Sequence, residues 1–412
     1  MEGLLPGERR VLRRFGFARW CGQARSHRQG SSARVCASAA GSRGVGDVPG
    51  GVSLPGFPWD SLVPYRERAQ AHPHGVVDLS VGTPVDETPA VVRDALAAAS
   101  NAPGYPTTLG TPAVREAAVG WLKRRFGIDS IDAETGVLPA IGTKELVAWL
   151  PTLLGLGPAD VVVHPELAYP TYDIGARLAG ASPVAVDSLV ALGPQRPALV
   201  WVNSPANPHG RILPAEHLAK VVSWAREHGA LVAADECYLE FGWEAAPSSV
   251  LHAEVNGGTV ENVIALHSLS KRSNLAGYRA GFVAGDPSMV RQLLEVRKHA
   301  GMMMPAPVQA AMAAALDDDE HVDQQRQRYR QRRDILRDAL VGAGFRIEHS
   351  EGALYLWATR DEGCWDTVGW LAERGILVAP GEFYGPAGRS HVRVALTATD
   401  ERVAAAAERL AA

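Results

Sequence analysis

The segment HSLSKRSNLAGYRAG, at 267–281, holds the residues best suited to chemistry. Ser268, Ser270 and Arg279 flank Lys271, and an apolar run lies on each side of the segment. Such runs predict strands, so Lys271 is expected in a turn at a strand end. A lysine amine can form a Schiff base with a carbonyl compound, while hydroxyls and a forked guanidinium can bind a phosphate. The segment therefore predicts a reactive amine beside a bound phosphate.

Other polar and aromatic residues also follow apolar runs. Asp235 ends LVAAD, Tyr238 comes three residues later, Asn207 follows ALVWV within NSPANPHG, and Tyr169 follows VVVHP. If the bound ligand contains a pyridine ring, an acid beneath that ring would keep its nitrogen protonated, and a flat aromatic side chain would cover it. Each residue also has an ordinary interpretation, as a helix cap, a core aromatic residue or, for Asn207, turn chemistry alone.

Two further segments could bind anions. Gly142, Thr143 and Lys144 open a helix after VLPAI, and a helix start offers free N–H groups and a favourable dipole to a phosphate. Arg393 alternates with apolar residues in HVRVAL, which predicts that it points away from the core. A forked arginine suits a planar carboxylate.

The elements that position these residues alternate between strands and helices. From residue 137 onward the order is VLPAI, TKELVAWLPTLLG, VVVHP, YPTYDIGARLAG, ALVWVN, PAEHLAKVVSWAREHG and LVAAD. This alternation predicts an α/β fold, with a mostly parallel central sheet flanked by helices. Ligands of such sheets bind beyond the carboxyl ends of the strands, which is where the motifs fall.

The end of the chain has a different pattern, with FRIEHS, ALYLWAT, ILVAPG and HVRVAL separated by helical segments. It predicts a smaller α+β domain. The predicted division is a disordered Arg-rich extension or mis-assigned start at 1–51, an N-terminal arm and part of the small domain at 52–100, a large domain at 101–305 and a small C-terminal domain at 306–412.

Residues 1–50 contain nine arginines, no lysine and three acids, with much Gly, Ser and Ala. Such a segment buries too little apolar surface to fold alone. A transit-type presequence and a basic nucleic-acid arm are alternatives to the disordered or mis-assigned start that we favour, since the Ala, Gly and Arg bias continues along the chain.

Composition bounds the class of protein. With 412 residues, 46% hydrophobic and 21% charged, the chain is typical of soluble globular proteins of two domains, and it has no apolar run of 18 residues. Four widely spaced cysteines predict neither disulfides nor a metal site. We expect a cytoplasmic protein with no nucleic-acid or membrane partner.

The motif SxSKxxxxxGxR, in order with the others, resembles the class I/II aminotransferases of the pyridoxal phosphate fold type I, over residues 52–412. The resemblance implies pyridoxal 5'-phosphate as cofactor and catalytic roles for Lys271, Asp235 and Tyr238. The residues that match the family's cofactor site are Tyr105, Gly142, Thr143, Lys144, Tyr169, Asn207, Asp235, Tyr238, Ser268, Ser270, Lys271 and Arg279.

The same resemblance implies how substrates and subunits are arranged. Arg393 would bind the substrate α-carboxylate, with Gly82 and Asn207 beside it. Tyr105 would reach the phosphate of the neighbouring subunit, which implies a homodimer with shared active sites.

Longer phrases, among them FPWDSLVPY, DECYLEFGW and ILVAPGEFYGPAG, are similar to N-succinyldiaminopimelate aminotransferases of actinobacteria. The resemblance implies amino transfer between glutamate and N-succinyl-2-amino-6-oxopimelate. Because both are acidic, Arg297 and Lys298 are candidates for a distal carboxylate, either in their own site or in that of the neighbouring subunit, although a charged helix end also explains them. The alternatives are another aminotransferase, a C–S lyase or decarboxylase on the same fold, and a non-catalytic regulator.

Overall fold

The computed structural model describes residues 54–412. The predicted extension at 1–51 lies outside the described residues. The helices are α1 (Val63–Gln70), α2 (Ala90–Ala98), α3 (Pro112–Phe126), α4 (Thr143–Leu153), α5 (Thr171–Leu178), α6 (Ala215–Glu227), α7 (Ala253–Asn256), α8 (Leu269–Arg272), α9 (Pro287–Ala300), α10 (Ala306–Asp317), α11 (Glu320–Gly342), α12 (Cys364–Glu373) and α13 (Asp400–Ala411). The strands are β1 (Val77–Asp78), β2 (Val137–Ile141), β3 (Val161–His164), β4 (Ser182–Ala185), β5 (Leu199–Asn203), β6 (Leu231–Asp235), β7 (Val263–Ser268), β8 (Ala280–Gly285), β9 (Arg346–Glu348), β10 (Tyr355–Thr359), β11 (Ile376–Leu377), β12 (Ala379–Pro380) and β13 (Val392–Ala395).

A seven-stranded sheet forms the centre of the large domain. Its strand order is β2-β8-β7-β6-β5-β3-β4. Strand β8 is antiparallel to β2 and β7, and the other neighbouring pairs are parallel. Helices connect the parallel strands, because a parallel pair needs a long crossover. The predicted α/β fold, with the topology of pyridoxal phosphate fold type I, is confirmed.

Both faces of this sheet are covered, and strand β5 shows why. Leu199 and Trp201 pack into one core with α4, α5 and α9. Val200 and Val202 pack into the other core with α2, α3, α6 and α10. Successive side chains of a strand point to opposite faces, so a strand buried on both faces is apolar throughout. Polar residues of these strands are therefore concentrated at their ends.

The smaller domain has an antiparallel sheet in the order β12-β13-β10-β9. Its core includes residues of α11, α12 and α13, together with Leu62 and Ala69 from the start of the described chain. The described chain before α2 contributes only a two-residue strand to this domain. Only Val77 and Asp78 pair with β11, and the chain then forms a loop through Gly82.

The predicted domain boundaries at 100 and 305 stay a prediction. Helices α2 and α10, which lie next to these boundaries, pack against the large sheet. Val92 of α2 and Met312 and Leu316 of α10 belong to a core of the large sheet. The prediction grouped both helices with the smaller domain. Across residues 54–412, no helix combines the length and apolar character that crossing a membrane requires.

Candidate active site

A cavity of about 440 Å³ opens at the carboxyl ends of the parallel strands and is closed on its other side by β10 and β13. Its lining combines residues of both sheets with the loops at 57–59 and 81–83. The predicted site residues that line it are Gly82, Thr143, Lys144, Tyr169, Asn207, Asp235, Tyr238, Ser268, Ser270, Lys271, Arg279 and Arg393. The sequence motifs therefore meet in one place.

Lys271 lies in the single helical turn α8, directly after β7. The Ser268 hydroxyl caps this turn by accepting a hydrogen bond from the Ser270 N–H, at 3.2 Å. The Lys271 Nζ donates to the carbonyl oxygen of Gly82. Burial lowers the pKa of Lys271 below its ordinary value, because a charged amine is poorly solvated there. The lysine is thus held at the cavity with a larger neutral fraction than a surface lysine.

One end of the cavity is formed by backbone N–H groups and a guanidinium. Gly142, with φ 75°, precedes helix α4, and its Cα lies against the Arg279 side chain. A Cβ at position 142 would overlap the Arg279 Nη2. Arg279 itself has φ 57°, and its Nη1 donates to the Ala276 carbonyl at 2.8 Å. This end has the helix start, hydroxyls and fixed cation that bind a phosphate.

Asp235 stands at the end of β6 with its carboxylate held on both oxygens. The Tyr172 hydroxyl donates to Oδ2 at 2.8 Å, and the Cys237 N–H donates to Oδ1 at 3.2 Å. Asn203 Nδ2 donates to the Asp235 carbonyl oxygen at 2.8 Å. Burial raises the pKa of Asp235, and the bonds from Cys237 and Tyr172 oppose that rise. The carboxylate is therefore fixed in position and is suited to bind a cationic group.

The sequence analysis did not single out Tyr172 and Asn203. Both carried a usable signal, since Asn203 ends the apolar run ALVWVN and Tyr172 lies in YPTY beside the predicted Tyr169. Side chains at the ends of neighbouring parallel strands meet. The same rule that selected Asp235 would have selected Asn203.

Aromatic residues form the wall around the reactive groups. The Tyr169 ring is perpendicular to Tyr172, with ring centres 6.0 Å apart, and the Lys144 Nζ lies 5.9 Å from the Tyr169 ring centre. The hydroxyls of Tyr238 and Tyr355 are 2.7 Å apart. Burial raises the pKa of Tyr238 well above its ordinary value, with Tyr355 adding to the rise. Tyr238 is therefore a neutral hydrogen-bonding group at neutral pH.

Arg393 lines the cavity and is buried there, whereas its strand neighbours Val392 and Val394 pack into the core of the small domain. Its guanidinium lies 4.0 Å from the Tyr355 ring centre and 4.8 Å from that of Tyr384. Nη1 donates to Asn207 Oδ1 at 2.8 Å and Nη2 donates to the Ser80 carbonyl at 2.7 Å. Within residues 54–412, Nε has no hydrogen-bond partner. A buried cation with a free donor is suited to an anionic ligand.

Arg297 and Lys298 do not line the cavity of their own chain, so a substrate role there is wrong, while a role of the exposed Lys298 towards a second subunit stays a prediction. The Arg297 guanidinium is buried and lies 3.1 Å from the Glu145 carboxylate, while Nη2 donates to the Met302 carbonyl at 3.4 Å. Lys298 is exposed and pairs with Glu295 at 2.7 Å. Arg297 thus ties α9 to α4, because its charged group needs a partner once buried.

Tyr105 also lies outside the cavity lining. Its side chain is 97% exposed, in the loop between α2 and α3. A contact with a second subunit would need such exposure, and the predicted role stays a prediction.

The lining fits pyridoxal phosphate in three respects. The anion-binding end by Gly142 and Arg279 suits the phosphate, the fixed Asp235 carboxylate suits a pyridine nitrogen, and Lys271 is an amine held at the cavity. Gly142 leaves no room for a side chain, because Arg279 packs directly against it. The start of helix α4 and the Arg279 guanidinium therefore lie close enough to bind the same anion.

The chain belongs to the class I and II aminotransferase family, whose model matches residues 74–410. These enzymes depend on pyridoxal 5'-phosphate, so the predicted family and cofactor are confirmed. The chain is 61% identical to a probable aminotransferase of Mycobacterium tuberculosis, over the full length of both. It is also 61% identical to the 4-dedimethylamino-4-oxo-anhydrotetracycline transaminase OxyQ of Streptomyces rimosus, over 87% of this chain and 99% of that relative.

Among solved structures, the fold is similar to a probable N-succinyldiaminopimelate aminotransferase from Thermus thermophilus. The TM-score is 0.77 at 29% identity, and the match covers 86% of this chain and 99% of that one.

Proposed function

We propose that this aminotransferase exchanges an amino group between glutamate and N-succinyl-2-amino-6-oxopimelate. The observation that carries the proposal is the presence of two further cations in the cavity: besides Lys271 and the phosphate-end Arg279, the lining contains Arg393 and Lys144. A substrate with carboxylates at both ends would place its α-carboxylate on Arg393 and a distal one towards Lys144. The similarity to the Thermus enzyme supports this assignment.

Pyridoxal phosphate, when bound, supplies an aldehyde and an electron-withdrawing ring. Lys271 would bind the aldehyde carbon and, once displaced by the donor amine, accept the proton from the substrate α-carbon at its Nζ. The lowered pKa of Lys271 favours this role, because a neutral amine is the form that accepts a proton.

The neighbouring residues would orient the reactants. Asp235, fixed by Tyr172, would hold a proton on the ring nitrogen. Asn207 and Tyr238 would donate to the ring's phenolic oxygen, while Tyr169 would cover the ring. The Asn207 amide oxygen already accepts from Arg393, so Asn207 would link the cofactor to the α-carboxylate site.

A second acceptor, a large fused-ring ketone, is favoured by the mouth of the cavity. Phe57 is 61% exposed and stacks on Trp59 with ring centres 5.8 Å apart, and both line the cavity. Exposed aromatic surface beside a cavity is suited to a flat apolar ligand. The OxyQ relative is named for a tetracycline precursor of that kind.

Absorbance spectra of the holoenzyme would separate these acceptors. Glutamate should bleach the visible band of the lysine-bound cofactor, and N-succinyl-2-amino-6-oxopimelate should restore it. Restoration by 4-dedimethylamino-4-oxo-anhydrotetracycline alone would replace the first acceptor with the second. If glutamate leaves the band unchanged, the assigned donor is wrong. The Lys271→Ala variant, which cannot form the lysine-bound cofactor, is the control that should lack the band.

We also propose that the active unit is a homodimer in which Tyr105 completes the partner's site. The exposure of this tyrosine and its place outside the cavity lining of its own chain support the idea. Mixing inactive Lys271→Ala with inactive Tyr105→Ala chains should restore part of the activity, because one of the two sites in a mixed dimer then has both residues. No recovery from mixed chains, with exchange confirmed by mass spectrometry, would contradict it.

A further inference from the structure

A buried carboxyl and imidazole lie directly behind the cavity. Glu236 follows Asp235 at the end of β6, and His267 precedes Ser268 at the end of β7. Asp235 and Ser268 line the cavity, whereas their neighbours Glu236 and His267 do not. The Glu236 N–H donates to the Leu266 carbonyl at 3.0 Å and so ties the two strand ends together. A change in charge or position at this pair would therefore act on Asp235 and Ser268, which line the cavity.

The two side chains have few other partners. The Glu236 Oε2 lies 3.7 Å from the His267 Nε2, and each side chain is 2% exposed. The Glu236 Oε1 accepts from the Val250 N–H at 2.7 Å. Within residues 54–412, Oε2 and both imidazole nitrogens lack a hydrogen bond. A hydrogen bond needs a separation of roughly 2.7–3.2 Å. A small side-chain rotation would bring the Glu236 Oε2 and the His267 Nε2 into that range.

The surroundings disfavour a net charge on this pair. The His267 ring packs 5.2 Å from Trp121 and 4.9 Å from Phe282, measured between ring centres. The charged groups that act on the pair are Asp235 on β6 and Arg272 on α8, and Glu240, on the loop after β6, pairs with Arg272. Glu240 already accepts from Trp121 Nε1 at 2.6 Å and lies 3.3 Å from the Arg272 Nε. Because Arg272 is so engaged, it does not neutralise an ionised Glu236.

We propose that Glu236 is a positioning residue that remains protonated and shares its proton with His267, so that Asp235 is the only carboxylate acting on the cofactor ring. Within the described chain, Asp235 is the only acidic residue in the cavity lining. A second negative charge at the adjacent residue would change the field at that carboxylate and alter the strength of its bond to the ring nitrogen.

The direction of the pKa shifts agrees with this arrangement. Burial raises the pKa of Glu236 to about 8, and Asp235 adds to the rise. Burial lowers the pKa of His267 to about 3, with Arg272 contributing. Between these values both groups are neutral. Above about pH 8 the Glu236 proton leaves for solvent, and the carboxylate that remains raises the pKa of Asp235 by like-charge repulsion.

The inference rests on the aminotransferase reaction and not on the acceptor. The test uses the holoenzyme, with kcat and the cofactor absorbance measured from about pH 6 to pH 10. Glu236→Gln imitates the protonated carboxyl, so it should keep kcat within about threefold at pH 7 and lose the alkaline transition that the wild type shows. His267→Phe removes the proton acceptor but keeps a ring to pack against Trp121 and Phe282, so its transition should move to lower pH. Glu254→Gln, an exposed control on α7, should match the wild type.

An unchanged alkaline transition in Glu236→Gln would overturn the proposal. Should that variant not fold, thermal unfolding of the wild type and His267→Phe decides the question. A folded-state pKa above the ordinary glutamate value means that stability falls as pH rises towards about 8. In His267→Phe this fall should end at a lower pH. The same pH dependence in both proteins would overturn the proposal.

Discussion

The large parallel sheet and the small antiparallel sheet supply the same cavity in different ways. In the large sheet, Asp235 and Lys271 come at or just after the carboxyl ends of neighbouring strands, so topology alone brings them together. In the small sheet, Arg393 lies inside β13, and tyrosine rings and partners from distant loops fix its guanidinium. Topology therefore builds the cofactor half of the site, while packing between domains builds the half for the substrate carboxylate.

This difference divides the expected effects of substitution. Changes at the strand ends should act on the cofactor band and on kcat. Changes at Arg393 should act mainly on KM, because the carboxylate contact is made in both the ground state and the transition state. Each experiment below tests that division.

The largest effect is expected for Lys271→Ala. The variant loses both the bond to the cofactor and the group that moves the α-proton, so kcat should fall by about four orders of magnitude. Absorbance spectra and steady-state rates measure this. Lys220→Ala, at an exposed lysine paired with Glu216, is the matched control and should keep wild-type activity. A Lys271→Ala enzyme within tenfold of wild type would contradict the assignment.

Arg393→Ala should lower kcat/KM roughly 30- to 1000-fold, since loss of one partner in a buried charge contact costs about 2–4 kcal/mol. The change should appear in KM for both the amino acid and the keto acid, and the visible cofactor band should remain. The exposed Arg389 provides the control, as Arg389→Ala. If the band of Arg393→Ala is also lost, then the two halves of the site are not separable.

Tyr172→Phe should reduce kcat roughly 10- to 100-fold, because a hydrogen bond to a charged group contributes about 1.5–3 kcal/mol. The Tyr172 hydroxyl lowers the pKa of Asp235. Its removal should therefore raise that pKa and move the acid limb of the kcat profile to higher pH. Tyr65→Phe, in α1, is the control. An acid limb that stays in place would mean that the hydroxyl does not act through Asp235.

The Arg297→Gln variant tests whether Arg297 has a structural role or binds substrate. We expect no change in KM and a loss of about 2 kcal/mol in the free energy of unfolding, less than for a fully buried pair because Glu145 is partly solvated. Denaturant titration and steady-state kinetics measure the two quantities. An increase in KM at unchanged stability would restore the substrate role.

The sequence predicted much of the cofactor half of the site because its rules are local. An apolar strand followed by an acid, a lysine turn or a glycine before a helix places each group at the same sheet edge, whatever the details of packing. Asn203 obeys the same rule and could have been found. The contacts of Tyr172 and Tyr355 could not be predicted, since their partners are Asp235, 63 residues away, and Tyr238, 117 residues away.

Burial decides the role of a charged side chain, and a short segment does not show it. The helix end RKH predicted cations free to bind substrate, but the Arg297 side chain turns into the protein and pairs with Glu145, 152 residues earlier. The alternation in HVRVAL predicted that Arg393 points away from the core, and it does line the cavity. A single strand does not reveal that this side chain is also buried there.

The sequence by itself determined the order of strands and helices, the lysine turn and the family to which the chain belongs, because periodicity and strand-end residues are local properties. Tertiary structure decided which charges are buried and what they contact. It brought Arg393 to Asn207 and Glu236 to His267. Contacts between residues far apart in the chain depend on how layers pack, and no short window of sequence records that packing.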